Sequence, residues 1–309
     1  MILLLLVPLL VPLAVPRVAR RALDRLAPVT ALWALTAACL ALAGACVAAL
    51  GAVVLTAVLK IPAFAALGQL VHPLRTPSDL VVVPAAVSAA GVLTVGLWAL
   101  GRSAVRQVVA FRAARTQADR RPAAGDLCVI DSPHPDAYAL PGRPHRIVVT
   151  TAMLRSLDAA EREALFAHER AHNAGGHHYA LAAAELAAHC HPALRATRAT
   201  VRLAAERAAD EVAATAVGDR RLTARAIARA ALAGRHSRST RPAFTPAATT
   251  GPVPQRVAAL LTPPGSRPRA ARWTALLLAA CAALSVTTAT AGVLTVHHEV
   301  EVAQGEESP

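Results

Sequence analysis

The sequence predicts a mainly α-helical membrane protein, with four transmembrane helices and a cytoplasmic α+β domain between the third and the fourth. The chain of 309 residues is 55% hydrophobic and only 17% charged, and its mean hydropathy is +0.44. Four stretches lack charged residues, and the polar segment between the third and the fourth shows strand patterns followed by helical ones. The low charge excludes a disordered chain, the 16 glycines exclude collagen, and 5 cysteines are too few for a disulfide scaffold.

Three of the uncharged stretches are long enough to cross a bilayer. They are 32–59, 80–100 and 273–296, and each contains the roughly 20 residues that a hydrocarbon core about 30 Å thick requires. The first stretch, 2–16, is shorter and contains three prolines. A signal peptide would carry basic residues before its apolar part, whereas here the arginines follow it. We therefore predict a short first span with the N-terminus outside.

The distribution of arginine predicts the orientation of the chain. The loop 17–25 and both ends of the polar segment 102–272 are rich in arginine, whereas the loop 60–79 and the tail 297–309 are not. Because basic loops stay in the cytoplasm, we predict a multi-pass protein of the cell membrane with both termini outside. The predicted units are 1–101 with three spans, the cytoplasmic domain 102–272, the fourth span 273–296 and the short extracellular tail 297–309.

The net charge of +13 does not indicate a nucleic-acid partner. A nucleic-acid site would cluster basic residues on one face, with aromatic side chains among them. Here only 3% of the residues are aromatic, and the basic residues crowd at the ends of apolar runs. We expect a lipid bilayer as a partner and no direct binding of nucleic acid.

The polar segment begins with strand patterns. The runs 126–131, 137–140 and 146–151 are short and rich in β-branched residues, and proline, glycine and aspartate separate them, as in a small sheet. We predict that 146–151 forms an edge strand, to which an extended peptide could add by backbone hydrogen bonds.

Helical patterns follow the strands. A helix begins at Asp158, with Glu161 as its capping-box partner, and ends at the glycine pair 175–176. After an interruption at Pro192, a long helix is predicted to reach Gly218. A further helix from about 222 to 234 comes next, and then a Pro-rich return to the membrane with one short apolar piece, QRVAALL.

The sequence His168-Glu169-Arg170-Ala171-His172 is the pattern with the most specific chemistry. Two histidines four residues apart on a helix present their imidazoles on one face, where both can bind one Zn²⁺ ion. Glu169 lies beside them and is placed to take a proton from a water molecule that the metal activates. A surface helix with incidental histidines is the competing interpretation, because the chain has 12 histidines.

A second pattern, Glu206-Arg207-Ala208-Ala209-Asp210, offers a third ligand. A catalytic zinc requires three protein ligands and one open position. Glu206 and Asp210 lie one turn apart, which suits Glu206 as a ligand and Asp210 as the carboxylate that orients a ligating histidine. Taken alone, the pair would be typical of a solvated helix face. After the first pattern, we predict a zinc site formed by His168, His172 and Glu206.

Together these segments resemble a known family. The strand segment DAYALPGRPHRIVVTTAML, the helix AEREALFAHERAH and the later ERAADEVA are similar, in this order, to the gluzincin membrane peptidases. The four-span layout resembles the β-lactam sensor-transducers of the BlaR/MecR type. Those proteins carry a penicillin-binding sensor domain after the last span, whereas here only about a dozen residues follow it, without an S-x-x-K or K-T-G pattern. β-Lactam sensing is therefore not expected.

The resemblance implies a zincin-like domain and the activity of a zinc metalloendopeptidase. By this resemblance His168, His172 and Glu206 would bind zinc, Glu169 would be the general base and Asp210 the orienting carboxylate. The implied partner is a cytoplasmic protein or peptide substrate, such as a transcriptional repressor in a signalling system.

Two other functions fit the same residues. One is a quality-control or prenyl-protein membrane metalloprotease, from a related group that shares both motifs but arranges its spans differently. The other is a non-catalytic membrane receptor or scaffold with a structural zinc. The intact Glu169 argues against the scaffold, because a structural site needs no base. The donor for a tetrahedral oxyanion is left open among five candidates: Tyr179, His177, His178, His189 and Arg220.

Overall fold

The computed structural model describes residues 2–68, 70, 79–235, 252–262 and 268–305, and most of them are helical. The helices are α1 (Ile2–Leu10), a 3₁₀ turn (Val11–Leu13), α2 (Val15–Arg25), α3 (Pro28–Val58), α4 (Pro62–Leu67), α5 (Asp79–Asp119), α6 (Thr151–Ser156), α7 (Ala159–Ala174), α8 (His177–Cys190), α9 (Pro192–Val217), α10 (Arg220–Gly234), α11 (Val253–Leu261) and α12 (Pro268–Gln304). The strands are β1 (Ala123–Ala124), β2 (Leu127–Ile130), β3 (Ala137–Leu140) and β4 (Arg146–Thr150).

Among the described residues, three helices are long and apolar enough to cross a membrane, namely α3, α5 and α12. They contain the predicted spans 32–59, 80–100 and 273–296 almost completely. Both α5 and α12 continue beyond the predicted spans. Helix α12 extends to Gln304, where a tail was predicted, and an ion pair between His297 and Glu301 (Nε2–Oε1 3.1 Å), one turn apart, supports the extension.

The first apolar run is not one continuous helix. Helix α1 has nine residues, about 13 Å of helix, which is less than the thickness of a hydrocarbon core. The 3₁₀ turn around Pro12 follows, because a proline lacks the N–H that an α-helix requires. The prediction of four spans is therefore not confirmed for the first one.

The sheet has the strand order β1-β2-β4-β3. Strands β2, β3 and β4 form where the sequence predicted them, with β2 and β4 parallel and β3 antiparallel to β4. The prediction of an edge strand at 146–151 is wrong, because β4 lies between β2 and β3. Its residues Ile147–Thr150 are all buried, as in a central strand. At this side of the described sheet, β3 is the edge strand, and it contacts α7.

Helices α7 to α10 confirm the predicted helical patterns. The capping box at the start of α7 is present: Asp158 accepts a hydrogen bond from the backbone N–H of Glu161 (2.8 Å), and Glu161 accepts one from that of Asp158 (3.1 Å). Helix α9 ends at Gly218, whose φ of +71° is a conformation that glycine adopts at low cost.

Helices α8 and α9 share a hydrophobic core with the N-terminal helices α2 and α3. Buried residues along α3, from Ala31 to Ala43, pack with Ala180–Ala187 of α8 and Leu194–Ala205 of α9. The guanidinium of Arg207 in α9 also donates to the carbonyl of Leu23 at the end of α2 (2.6 Å). Helices α8 and α9 of the polar segment thus pack directly on α2 and on the candidate membrane helix α3.

Candidate metal centre

Helix α7 brings the two histidines of the first motif together. His168 and His172 are both buried, and their Nε2 atoms lie 3.0 Å apart with the rings at 83°. The helix is fixed to the sheet by Arg170, whose guanidinium forms two hydrogen bonds to Asp126 just before β2 (2.7 and 2.9 Å). The i, i+4 spacing therefore places both imidazoles on the same face of α7, as the sequence predicted.

Glu206 of α9 completes a group of three possible ligands. Its Oε2 atom lies 3.5 Å from Nε2 of His168 and 3.8 Å from Nε2 of His172, and all three side chains are buried. Ligand atoms at about 2.0–2.1 Å from a tetrahedral Zn²⁺ ion are about 3.3–3.4 Å apart. The separations of 3.0, 3.5 and 3.8 Å scatter around this value. Two imidazoles and one carboxylate are also a donor set that zinc accepts.

Asp210 contacts the other side of the His168 ring. Its Oδ1 atom lies 2.9 Å from Nδ1 of His168, and Asp210 is one helical turn after Glu206. Burial lowers the pKa of His168, but the contacts with the Asp210 and Glu206 carboxylates outweigh it and raise the pKa to about 9. A carboxylate at Nδ1 keeps a proton there and leaves Nε2 as the atom that faces the other ligands.

His177 makes the corresponding contact with His172. Their Nδ1 atoms lie 2.8 Å apart, and His177 is buried at the start of α8. From the sequence, His177 was a candidate oxyanion donor, whereas in the structure it contacts the ring of a proposed metal ligand. His177 can lie this close to His172 because Gly175 has no side chain: an added Cβ would lie 2.5 Å from Nε2 of His177. Gly176 allows the chain to turn there, since its φ of +60° is a conformation that glycine adopts at low cost. The glycine pair thus ends α7 and also makes room for a buried histidine.

Arg256 is a site residue that the sequence analysis missed. It lies on α11, is completely buried, and donates from Nε and Nη2 to both carboxylate oxygens of Asp210 (2.8 and 2.6 Å). Its Nη1 atom lies 3.1 Å from Oε2 of Glu206. In the sequence, Arg256 could have been recognised by its place inside the short apolar piece QRVAALL, one turn before Leu260 on the face of the helix that is buried.

Arg256 compensates the negative charge of the site. Burial raises the pKa of both Glu206 and Asp210, yet the guanidinium of Arg256 together with the imidazoles of His168 and, for Glu206, His172 more than offsets this effect, and both pKa values end below their usual range. Both carboxylates are therefore ionised at neutral pH, which a metal ligand requires. The Arg256 guanidinium is thus a permanent buried positive charge in the site before any metal ion binds.

Glu169 is buried on α7 beside His168. Its charge contributes to raising the pKa of Arg256, although the carboxylates of Glu206 and Asp210 contribute more and burial alone would lower it. Glu169 thus lies within electrostatic reach of the group formed by α7, α9 and α11.

The four other oxyanion candidates all contact groups outside the three possible ligands. His189 bonds to the carbonyl of Glu185 near the far end of α8 (2.8 Å). Arg220 pairs with Glu211 and donates to the α11 carbonyl of Leu260 (2.9 Å), so it fastens α11 to α9 and α10. The ring of Tyr179 is exposed and stacks at 4.0 Å against His178. None of these contacts involves the three possible ligands.

Binding of a divalent metal is expected to release about one proton near pH 7.5. His168, with a pKa of about 9, is protonated before the metal binds, whereas burial lowers the pKa of His172 to about 4 and leaves it neutral. As pH falls from about 9 to about 6, the Kd for zinc should therefore rise about tenfold per unit. Calorimetry in two buffers of different ionisation enthalpy measures the released proton. A buffer-independent binding heat would contradict the expectation.

Comparison with known proteins supports a peptidase assignment for part of the chain. The model of peptidase family M48 matches residues 101–201, which include His168, Glu169 and His172 and end before Glu206. The match indicates a metallopeptidase hydrolase with a zincin-like domain, whereas the BlaR/MecR type is not confirmed. The comparisons with curated proteins and with solved structures gave no match.

Proposed function

We propose that this chain is an integral membrane zinc-dependent metalloendopeptidase that hydrolyses peptide bonds of a cytoplasmic protein. The observation that carries the proposal is the convergence of His168, His172 and Glu206, whose ligand atoms all lie within 4.8 Å of one another. A glutamate follows the first of these histidines directly on the same helix, at the position of a general base.

Each residue of the site has a separate role in the proposed hydrolysis of the peptide bond. Zinc held by His168, His172 and Glu206 would supply a Lewis acid that polarises the scissile carbonyl and acidifies a water molecule. Glu169 accepts the proton of the attacking water and delivers it to the leaving amine. Asp210 holds the proton on Nδ1 of His168 and so fixes the orientation of this imidazole.

The substrate is proposed to bind as an extended peptide. Strand β3 (Ala137–Leu140) is the edge strand beside α7, and a peptide could extend the sheet there by backbone hydrogen bonds. Such a site selects for extended conformation more than for side chains. The site residues are buried, so a peptide reaches them only when neighbouring segments open.

The proposed cytoplasmic location of the site is supported by the arginines near the ends of the three candidate membrane helices, because basic loops stay in the cytoplasm under the positive-inside rule. The proposed substrate is accordingly a cytoplasmic protein, with a transcriptional repressor as the example that the BlaR/MecR resemblance implies.

Replacing His172 by alanine is expected to remove both the metal and the activity. Loss of one of three ligands leaves two, which is too few for tight binding of zinc. Metal content by mass spectrometry and cleavage of a fluorogenic peptide library should be measured on detergent-purified protein. His178→Ala is the matched control, because His178 is a nearby histidine that contacts Tyr179 instead of the site. Full zinc content in His172→Ala would refute the proposed ligand set.

A further inference from the structure

Asn173 lies on the face of α7 that packs on the sheet. It follows Leu165 by eight residues and Glu169 by four, so the three side chains form one line along the helix. Leu165, at one end of this line, packs with Ala137 of β3 and Val149 of β4. Asparagine occurs nowhere else in the chain, so the composition does not explain its place one turn after the proposed general base.

One half of the Asn173 amide is held by the sheet. Its Nδ2 atom donates a hydrogen bond to the carbonyl oxygen of Arg146, the first residue of β4 (3.2 Å). Arg146 is paired with Leu140, the last residue of the edge strand β3. The amide therefore lies beside the end of β3, and the bond to β4 sets which of its two polar atoms is the donor and which is the acceptor.

The other half of the amide, Oδ1 of Asn173, is a buried acceptor with no hydrogen-bond partner in the part of the chain that the structure describes. A buried polar atom without a partner costs free energy, and folded proteins contain few of them. Asn173 is not required to end α7 either, because Gly175 caps the helix and Gly176 reverses the chain. A structural role of Asn173 thus accounts for Nδ2 but not for Oδ1.

A buried donor on β4 also has no partner among the described residues, namely Nε of Arg146. Side chains alternate between the two faces of a strand, so the side chain of Arg146 lies on the same face as that of Val148. Val148 packs with Phe111 and Ala118 of α5, on the side of the sheet opposite to α7. Oδ1 of Asn173 therefore needs a donor from outside the described residues.

We propose that Oδ1 of Asn173 accepts a hydrogen bond from a backbone N–H of the substrate peptide, a role that rests on the proposed peptidase function. A peptide that extends the sheet at β3 passes Glu169, and one helical turn of about 6 Å separates Glu169 from Asn173. An extended peptide rises about 3.3 Å per residue, so this N–H belongs to a residue about two positions from the scissile bond. Both side chains are buried, so the peptide reaches them in the same opening that the metal ligands require. The hydrogen bond fixes the register of the peptide on β3 and so selects the bond that lies over Glu169.

Ester substitution in the substrate tests this hydrogen bond. The starting peptide is one that the detergent-purified parent chain cleaves from a fluorogenic library, and mass spectrometry locates its scissile bond. Each backbone N–H near that bond, other than the N–H of the bond itself, is replaced in turn by an ester oxygen, which removes one donor without adding bulk. The ratio kcat/KM is measured for every ester with the parent chain and with each variant.

Two variants remove the acceptor, and one variant is the matched control. Asn173→Ala removes the whole amide, and Asn173→Leu replaces it by an apolar side chain of similar size that keeps the space filled. Gln117→Ala is the control, because it removes an exposed side-chain amide near the end of α5. Zinc content equal to that of the parent chain verifies that the metal centre of each variant is folded.

We expect one ester, about two residues from the scissile bond, to lower kcat/KM of the parent and of Gln117→Ala about 3- to 10-fold more than that of the two Asn173 variants. The other esters should affect all four chains alike. A purely structural role of Asn173 would lower the cleavage of every peptide by the same factor, so the same ester profile in all four chains would overturn this role alone. A parent chain that holds zinc but cleaves no peptide would overturn the peptidase proposal together with it.

Discussion

Replacing Glu169 by glutamine is expected to abolish peptide cleavage and to leave the metal in place. Glutamine has nearly the same shape as glutamate but cannot accept a proton from water. General-base catalysis contributes roughly 10²–10⁴ to a rate, so kcat should fall by at least about 10². The ligands His168, His172 and Glu206 are unchanged, so zinc content should equal that of the parent protein.

The control for this experiment is Glu163→Gln, the same substitution at an exposed position of the same helix. It should retain both zinc and activity. If Glu169→Gln cleaved peptides as fast as Glu163→Gln, Glu169 would not be the base. If neither the parent nor the Glu163→Gln protein cleaved any peptide while both held zinc, the non-catalytic receptor or scaffold would be the better interpretation.

Replacing Arg256 by methionine is expected to destabilise the metal-free protein strongly. The guanidinium forms ion pairs with both Asp210 and Glu206, and all three side chains are buried. Removing one partner of a buried ion pair typically costs about 3–5 kcal/mol, because the remaining charge stays without compensation. Thermal unfolding in detergent after treatment with a chelator measures the loss. Arg221→Met on the exposed surface of α10 is the control and should change little.

Zinc should recover part of this stability. A divalent ion bound by Glu206 compensates the same negative charge that Arg256 compensates in the metal-free protein. The increase in unfolding temperature on adding zinc should therefore be larger for Arg256→Met than for the parent. An equal increase in both proteins would indicate that Arg256 and the metal ion act independently.

The candidate ligands were predictable because their spacing is local. Residues four apart in a helix lie on the same face, independently of the tertiary structure. The side-by-side placement of His168 and His172, and of Glu206 and Asp210, could therefore be predicted from the sequence. That the two pairs meet was an inference from a known order of motifs. The structure brings them together because α7 packs on α9, and α9 in turn packs on the N-terminal helices.

The contacts that the sequence analysis missed are all non-local or depend on a particular backbone conformation. Arg256 lies 46 residues after Asp210, and no local pattern indicates which buried carboxylate an arginine will meet. His177 reaches His172 only because the glycine pair allows the chain to reverse closely. The edge strand was assigned wrongly because a buried β-branched run does not reveal which neighbours it pairs with.

By itself, the amino-acid sequence determined the apolar lengths of three candidate membrane helices, the N-terminal cap of α7 and the two pairs of candidate ligands, since each depends on residues within a few helical turns. Only the tertiary structure decided that α8 and α9 pack against α3, that the end of α8 contacts Gly96 of α5, and that Arg256 enters the site. The physical reason is that packing and buried charge compensation join residues far apart in the chain. These interactions contribute to the free energy of folding only when the whole core has formed.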